Sequence, residues 1–351
     1  MPLIAWVGFF AAVAAILAID LGYFHRRAHA ATLREASLFA GLWIAIGLSF
    51  SLVVWWVYST QAGASVSADD ALQLYLTAYI LEEALSVDNL FVFIVIFSYF
   101  GVRGEHQHRV LFYGIVGAIA MRGVFIFLGV AALEAFEFTI YALAALLLFT
   151  AARMTFGTHE AVDPAQSAVY RLLKRLMPTT DDFHDGKFFH TIGGRRHATT
   201  LLMCLLLIEA TDVLFAIDSV PAVLGVTNEA FIVYTSNIFA IVGLRSLYFV
   251  VAAGIRRLDY LKPALVLLLL FIGVKMILGA HPTPDPLHYE MPVSLSLGFV
   301  GTILGVAIAA SVVKLRLRPR APPAPALGGR LGDPEDEPPA PPEAGPPRGP
   351  G

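Results

Sequence analysis

Charged residues are scarce in this chain of 351 residues: Asp, Glu, Lys and Arg make up 15% of it, whereas hydrophobic residues make up 57%. Soluble domains are usually about 25% charged and roughly 45–50% apolar. This balance excludes an ordinary soluble domain and indicates a protein that crosses a membrane several times. We therefore expect the lipid bilayer as its partner, and we expect no nucleic-acid partner and no enzymatic activity.

Cysteine is nearly absent, because Cys204 is the only one and lies inside an apolar run. This excludes intrachain disulfides and metal sites built from several thiolates. Histidine is missing from the centres of the apolar runs as well. A metal site deep in the membrane would therefore use oxygen ligands, which suit hard cations such as Mg²⁺, Ca²⁺ and Mn²⁺.

Nine apolar runs are long enough to cross a bilayer as helices, which takes about 17–25 residues each. They cover residues 3–24, 37–58, 71–100, 110–133, 136–154, 199–225, 231–253, 261–279 and 292–313. The predicted fold class is all-α, a polytopic membrane protein with about nine transmembrane helices. The first run is expected to be retained and not cleaved as a signal peptide, because its arginines follow the apolar stretch.

Basic residues are absent from the loops after the second, fourth, sixth and eighth runs. Of the 24 Lys and Arg residues, 21 lie at or beyond the run ends on the other side of the membrane, and three lie within runs. The positive-inside rule then predicts that the N-terminus is outside and that the C-terminus is cytoplasmic.

Hydrophobic residues nearly vanish from Pro319 onward, where 12 of the last 33 residues are proline. Segment 319–351 is therefore predicted to be disordered, and no function is assigned to it. The cytoplasmic loop 156–198 contains a short amphipathic segment, "AVYRLLKRLM", and a stretch rich in carboxylates and histidines, "DDFHDGKFFH". That stretch could be a metal sensor, but a solvated loop is favoured because the spacing fits no standard ligand pattern.

Two segments of the chain resemble each other at three places. "AIAMRGVFIF" at 118–127 matches "IVGLRSLYFV" at 241–250, "LLFTAARM" matches "LLFIGVKM", and the Glu82–Asp88 pair matches Asp212–Asp218 in spacing. Because three spans separate the copies, they would run in opposite directions, as in inverted-repeat transporters. The predicted organisation is two N-terminal helices (1–60), a first three-helix repeat (71–155), the cytoplasmic loop, a second repeat (199–280) and a C-terminal helix (290–315).

Five carboxylates lie within the matched runs: Glu82, Asp88, Glu209, Asp212 and Asp218. One charge at the centre of a bilayer costs about 2.5–3.5 kcal/mol on insertion scales, so five would outweigh the roughly 5–15 kcal/mol stability of a typical fold. Arg122 and Arg245 can balance two of these charges, and one divalent cation would then leave a single negative charge. The alternative is that arginines and acids form ion pairs that only hold the helices together.

Further oxygen ligands could come from Asn89, Thr211, Ser219 and Asn237, although an interhelical hydrogen bond explains Asn237 equally well. Glu83 is a weaker candidate, because it has no acidic counterpart in the second copy. Six residues correspond to about 240° around a helix, so the matched acids would face different sides of unbroken helices. Together with Pro221, this predicts that the third and sixth spans are broken or kinked near 85–89 and 217–221.

The blocks "EALSVDNLFVF", "DVLFAIDSVPAV" and "TSNIFAIVGLRSLYF" resemble signature blocks of the TerC/Alx family of integral membrane proteins, and the resemblance covers about residues 5–315. It implies a topology similar to that of LysE-type exporters, and a role in manganese export or in supplying metal to secreted enzymes. It also implies that the five acids are the family's intramembrane carboxylates, and it favours Mn²⁺ over Mg²⁺ or Ca²⁺ as the substrate.

The hypothesis from the sequence and the resemblance is an exporter of Mn²⁺ or related divalent cations in a bacterial inner membrane, with no organic cofactor. The five acids would bind the metal, Arg122 and Arg245 would balance charge, and protons could be exchanged for the ion. The main alternative is a scaffold or stress-response subunit in the membrane, acting in tellurite resistance or in metalation of secreted proteins. An intramembrane aspartyl protease is disfavoured, because no span contains a Gly-x-Gly-Asp motif.

Overall fold

The structure is a computed structural model that describes residues 1–24, 33–156, 168–176, 178–180, 183, 186–252, 260–280, 289 and 291–317. Helices α1 to α5 cover Leu3–Phe24, Leu33–Thr60, Ala68–Phe100, Gly104–Ala135 and Thr139–Phe156. A short helix α6 (Ala168–Leu176) and a hairpin of strands β1 (Phe189–Ile192) and β2 (Arg195–Ala198) follow. Helices α7 to α10 cover Thr200–Leu224, Ala230–Ala252, Leu261–Ala280 and Val293–Leu317. The predicted disordered tail, 319–351, lies outside the described residues.

Seven helices in the described part of the chain are long and apolar enough to cross a membrane: α2, α4, α5, α7, α8, α9 and α10. The prediction of an all-α polytopic membrane protein is therefore confirmed. Helix α3 carries five carboxylates, and the apolar part of α1 is shorter. That all nine predicted runs cross the bilayer stays a prediction.

Helix α3 begins and ends at local sequence signals. The Ser67 hydroxyl accepts a hydrogen bond from the backbone N–H of Asp70 at 3.1 Å, and Asp69 and Asp70 occupy the first turn of α3. Carboxylates there stabilise the positive end of the helix dipole. Helix α3 ends at Gly101, whose φ of 62° is a left-handed conformation that favours glycine.

The predicted breaks in the third and sixth spans are wrong, because α3 and α7 are each continuous α-helices. The alternative of a kink at 85–89 or 217–221 stays a prediction. Pro221 lies inside α7, three residues before its end at Leu224, and the backbone bond that it cannot make is the one to the Ile217 carbonyl. Residues 219–224 are all buried, and this packing holds that turn in place. Helix α3 therefore offers no opened carbonyl groups at 85–89, and in α7 the Ile217 carbonyl lacks the N–H partner that residue 221 would otherwise supply.

The centre of the molecule is formed by α3, α4, α7 and α8. Helix α3 packs against α8 and α4 packs against α7, while α5 packs against α9 at one side. Helix α8 is the most enclosed of the candidate spans, with 89% of its apolar window buried. Helix α2 covers α3 and α8, and α10 covers α3 and α9.

The loop between the two predicted repeats contains regular structure. The predicted amphipathic segment forms α6. The hairpin pairs Phe189 with Ala198 and Ile192 with Arg195, and its turn is Gly193–Gly194, both with positive φ. A Gly-Gly turn of this kind is a known hairpin signal. These two glycines could have indicated from the sequence that the loop contains a hairpin. Part of "DDFHDGKFFH" lies outside the described residues, so the choice between metal sensor and solvated loop stays a prediction.

Gly47 and Gly41, both on α2, form a matched pair for testing how α2 contacts α3. A Cβ atom at residue 47 would lie 2.6 Å from the ring of Tyr79, whereas a Cβ atom at residue 41 would meet nothing within 4 Å. Tyr79 is buried and stacks on Tyr75, so its ring cannot move aside freely. We expect Gly47→Ala to lower the free energy of unfolding by about 1–3 kcal/mol. Gly41→Ala should not lower it.

Thermal unfolding of the two purified variants in detergent measures this difference. Equal stability of both variants would contradict the close contact between α2 and α3.

Candidate functional site

A buried arginine lies where the four central helices meet. Arg122, on α4, is 1% exposed, and its guanidinium contacts acids from two other helices. Nη1 forms an ion pair with Glu82 on α3. Nη2 lies 3.3 Å from Oδ1 of Asp212 on α7, and Nε donates to Oδ2 of the same carboxylate at 3.4 Å. Arg122 thus joins Glu82 and Asp212, the two acids that occupy matched positions in the predicted repeats.

Two neutral side chains complete the surroundings of Arg122. Nη1 also donates to Ser219 Oγ at 3.3 Å and to Asn237 Oδ1 at 3.1 Å. Both side chains are buried. The predicted auxiliary residues Ser219 and Asn237 therefore lie in the Arg122 cluster, which we define as Glu82, Arg122, Asp212, Ser219 and Asn237.

The Arg122 cluster keeps unused polar atoms. Glu82 Oε2 and Asn237 Nδ2 are buried and have no hydrogen-bond partner among the described residues. With both acids ionised, the cluster carries one more negative than positive charge. Removing charges from water is expensive, and one arginine compensates two acids only partly. The cluster can therefore accept a further positive charge, either a proton or a cation.

A narrow cavity of about 20 Å³ lies beside the Arg122 cluster, between α3, α4, α7 and α8. This volume is enough for a water molecule. Glu209, Asp212 and Arg245 supply its polar lining, and the remaining lining is mostly apolar. Gly117 on α4 makes room for Glu209, because a Cβ atom at that position would overlap the Glu209 carboxyl group. Two of the five predicted acids thus share one cavity.

Asp218 lies in a different environment from the Arg122 cluster. Its carboxylate accepts hydrogen bonds from Thr150 Oγ1 at 2.8 Å and from Arg153 Nη2 at 3.1 Å, both on α5. Asp88 is half-buried on α3, about 240° around the helix from Glu82. Sequence reasoning did not single out Thr150 or Arg153 as partners of Asp218, although the match of Arg153 with Lys275 had marked that position.

The two predicted charge-balancing arginines are in different settings. Arg122 pairs with two acids, whereas Arg245 on α8 has its Nη2 3.1 Å from Nδ1 of His108 on α4. The His108 ring stacks on Phe249, with 4.0 Å between ring centres. Arg245 also lines the cavity that contains Glu209 and Asp212. Sequence reasoning missed His108, and only its place in the block "QHRVLFYG" gave any signal.

The remaining candidates, Asn89, Glu83 and Thr211, lie on α3 and α7. Asn89 is buried on α3, and the Thr211 hydroxyl donates to its own helix, to the carbonyl of Leu207 at 2.6 Å. Both carboxylate oxygens of Glu83 are buried without a hydrogen-bond partner among the described residues. Within the same residues, no three His, Cys, Asp or Glu side chains come close enough to form a metal site. The metal-binding role of the five acids therefore stays a prediction.

A family model described as "Integral membrane protein TerC family" matches residues 67–318. The chain belongs to the TerC family. The match begins just before α3 and covers both predicted repeats and α10, so the whole Arg122 cluster lies within it.

Two relatives of this chain can be aligned with it over nearly their full length. A Myxococcus xanthus protein named as the uncharacterized membrane protein STKORF319 is 42% identical over 314 residues, 90% of this chain and 93% of that protein. An Escherichia coli K12 protein is named Alx and described as a candidate membrane-bound redox modulator. It is 40% identical over 300 residues, 85% of this chain and 91% of that protein. No solved structure matches the chain.

Arg122 and Arg153 both pair with carboxylates, but they differ in solvent exposure. Arg122 is 1% exposed with two acidic partners, whereas the Arg153 side chain is 61% exposed with one. We expect Arg122→Met to lower the free energy of unfolding by about 3–5 kcal/mol, because it leaves buried carboxylates without a cation. Arg153→Met should lower it by about 1 kcal/mol or less.

Unfolding of the purified variants in detergent measures both effects. Adding Glu82→Gln to Arg122→Met should restore part of the lost stability, because it removes one unpaired charge. If Arg122→Met is as mild as Arg153→Met, Arg122 does not hold the cluster together.

Proposed function

We propose that this TerC-family protein is a transporter in a bacterial inner membrane that exports Mn²⁺ or a closely related hard divalent cation from the cytoplasm. The observation that carries the proposal is the ion pairing of Glu82 and Asp212 through Arg122 in the middle of the helix bundle. Ionisable side chains within membrane spans are expensive and commonly mark a transport path. The nine spans and the orientation with the C-terminus in the cytoplasm are part of the proposal.

Helix packing supports the inverted repeat on which the mechanism rests. If α3, α4 and α5 are exchanged with α7, α8 and α9, the α3–α8 contact becomes the α7–α4 contact. Both contacts are extensive, and the α5–α9, α3–α7 and α4–α8 contacts map onto themselves. Transporters built from inverted repeats bind their substrate near the middle of the membrane, between the repeats. The Arg122 cluster lies at that interface.

Competition between Arg122 and the cation would couple binding to movement. A divalent cation that enters the cavity beside Glu209 and Asp212 competes with Arg122 for the Asp212 carboxylate. Oxygen atoms from carboxylates, Ser219 and Asn237 are the ligands that Mn²⁺ and other hard cations prefer. Release of Arg122 from Asp212 would loosen the contact between α4 and α7. Proton uptake by the same acids after metal release would restore the charge balance.

The unequal settings of the matched arginines support alternating access. Arg122 is engaged with Glu82 and Asp212, while Arg245 is engaged with His108. In an inverted-repeat transporter, the two repeats adopt each other's conformations as the protein opens to the other side. The proposal is that Arg245 takes over the acids when Arg122 leaves them.

A scaffold in the membrane is the second candidate function. Arg122 bonds four side chains on three neighbouring helices, and such a network could serve to hold the helices together without moving an ion. The description of Alx as a redox modulator belongs to that protein. In this chain, a redox function could not use an intrachain disulfide, because Cys204 is the only cysteine.

Transport by the purified protein in liposomes separates the two functions. We expect Mn²⁺ flux into or out of the vesicles with the wild-type protein, and a loss of at least about tenfold with Asp212→Asn or Glu209→Gln, because each removes a charge that faces the cavity. Glu134→Gln is the matched control, since Glu134 is an exposed carboxylate on α4 away from the cavity. It should transport like the wild type.

The assay should also compare Mn²⁺ with Mg²⁺ and Ca²⁺, and two pH values across the membrane. Absence of flux for every cation with folded wild-type protein would refute transport and favour the scaffold. Flux that is unaffected by Asp212→Asn and Glu209→Gln would refute the site.

A further inference from the structure

A second cavity, of about 350 Å³, lies where α3 ends, α6 packs and α7 begins. It is separate from the Arg122 cluster and shares no lining residue with the narrow cavity. Thr200, at its edge, is the first residue of a candidate membrane span, so the cavity lies at the level where a span meets the lipid headgroups. Among the described residues, the lining contains one cation and no acid: Tyr99, Phe100, Tyr170, Lys174, Thr179, Thr180, Thr200 and Met203.

One wall of the cavity combines aromatic rings with a cation. The Tyr170 ring on α6 lies 5.9 Å from the Phe100 ring and 6.2 Å from the Tyr99 ring, between ring centres. Lys174 Nζ lies 5.1 Å from the centre of the Tyr170 ring. Tyrosine and lysine are typical residues at the interface between bilayer and water, where their apolar parts contact acyl chains and their polar ends contact headgroups.

Threonine hydroxyl groups also line the cavity. Thr180 Oγ1 is buried and has no hydrogen-bond partner among the described residues. Thr200 Oγ1 donates to the Thr180 carbonyl at 3.3 Å, which fixes the segment against the start of α7. A buried hydroxyl without a partner is unfavourable. An acceptor oxygen placed in the cavity would satisfy it.

Helix α6 adds a positive surface around this cavity. Its nine residues contain Arg171, Lys174 and Arg175 and no acid, and these three side chains are exposed. Leu172 is also exposed, at 54%. A short basic amphipathic helix with an exposed apolar residue is suited to the surface of a membrane that contains anionic lipids.

We propose that this cavity binds the headgroup of an anionic phospholipid. The lipid phosphate would interact with Lys174 and accept a hydrogen bond from Thr180, while an acyl chain would lie against Tyr99 and Phe100. Charge complementarity favours this occupant, because the cavity is lined by a cation and hydroxyls and is bordered by the basic face of α6. The bound lipid would link α6 to the ends of α3 and α7.

Lipid-dependent stability of the purified full-length protein tests this site. Phosphatidylglycerol added to protein in neutral detergent should raise the melting temperature, and phosphatidylcholine should not. Lys174→Gln and Thr180→Val should each raise the half-saturating concentration of phosphatidylglycerol, by roughly fivefold for the lysine, as expected for one basic residue at an anionic surface. Thr180→Val keeps the side-chain shape and removes only the hydroxyl.

Lys314→Gln is the matched control, because Lys314 Nζ also lies 5.1 Å from an aromatic ring, that of Tyr260, and is outside the cavity. An unchanged half-saturating concentration for Lys314→Gln, with the shift confined to Lys174→Gln and Thr180→Val, supports the site. Equal shifts in all three variants would overturn it. The same melting-temperature increase with inorganic phosphate or with phosphatidylcholine would overturn the assignment to an anionic lipid.

Discussion

The need to compensate buried charge governs the centre of this molecule. Arg122 meets Glu82 and Asp212 where almost no solvent reaches them, so each of these groups depends on the others for its place in a low-dielectric environment. The requirement extends to backbone geometry, because α3, α4, α7 and α8 must approach closely enough for one guanidinium to contact residues of the other three. Small residues such as Gly117 allow that approach. The fold is consequently organised around a polar centre, with the apolar surfaces outside it.

The two arginines at matched positions of the predicted repeats are in different settings, although the helix contacts between the predicted repeats are symmetrical in outline. The Arg122 guanidinium contacts both Glu82 and Asp212, and Nη2 of the matched Arg245 contacts His108. Under the proposed inverted repeat, the two arginine positions would form a two-state element, in which either arginine can be the one at the centre. Such elements allow a ligand to shift the conformation by binding one arrangement better than the other.

The sequence was sufficient to predict the fold class, the ends of most helices and the role of Arg122 as a partner of buried acids. These features follow from hydropathy and from the cost of charge in a bilayer, which act on each helix separately. The continuity of α7 through Pro221 could not be predicted, because it depends on the neighbours that enclose its last turn. The separation of Asp218 from the cluster, and its bonds to Thr150 and Arg153, depend on the position of α5, which no local pattern specifies. His108 was missed for the same reason.

The packing of α3 on α8 has a consequence for how the protein folds during its synthesis. Helix α3 carries five carboxylates, α8 is the least apolar of the seven candidate spans, and the two pack extensively on each other. Neither surface is suited to lipid, so each helix gains its proper surroundings only after the other has been synthesised, some 130 residues later along the chain. Biogenesis must therefore include an interval in which α3 is incompletely enclosed, until α8 has been synthesised.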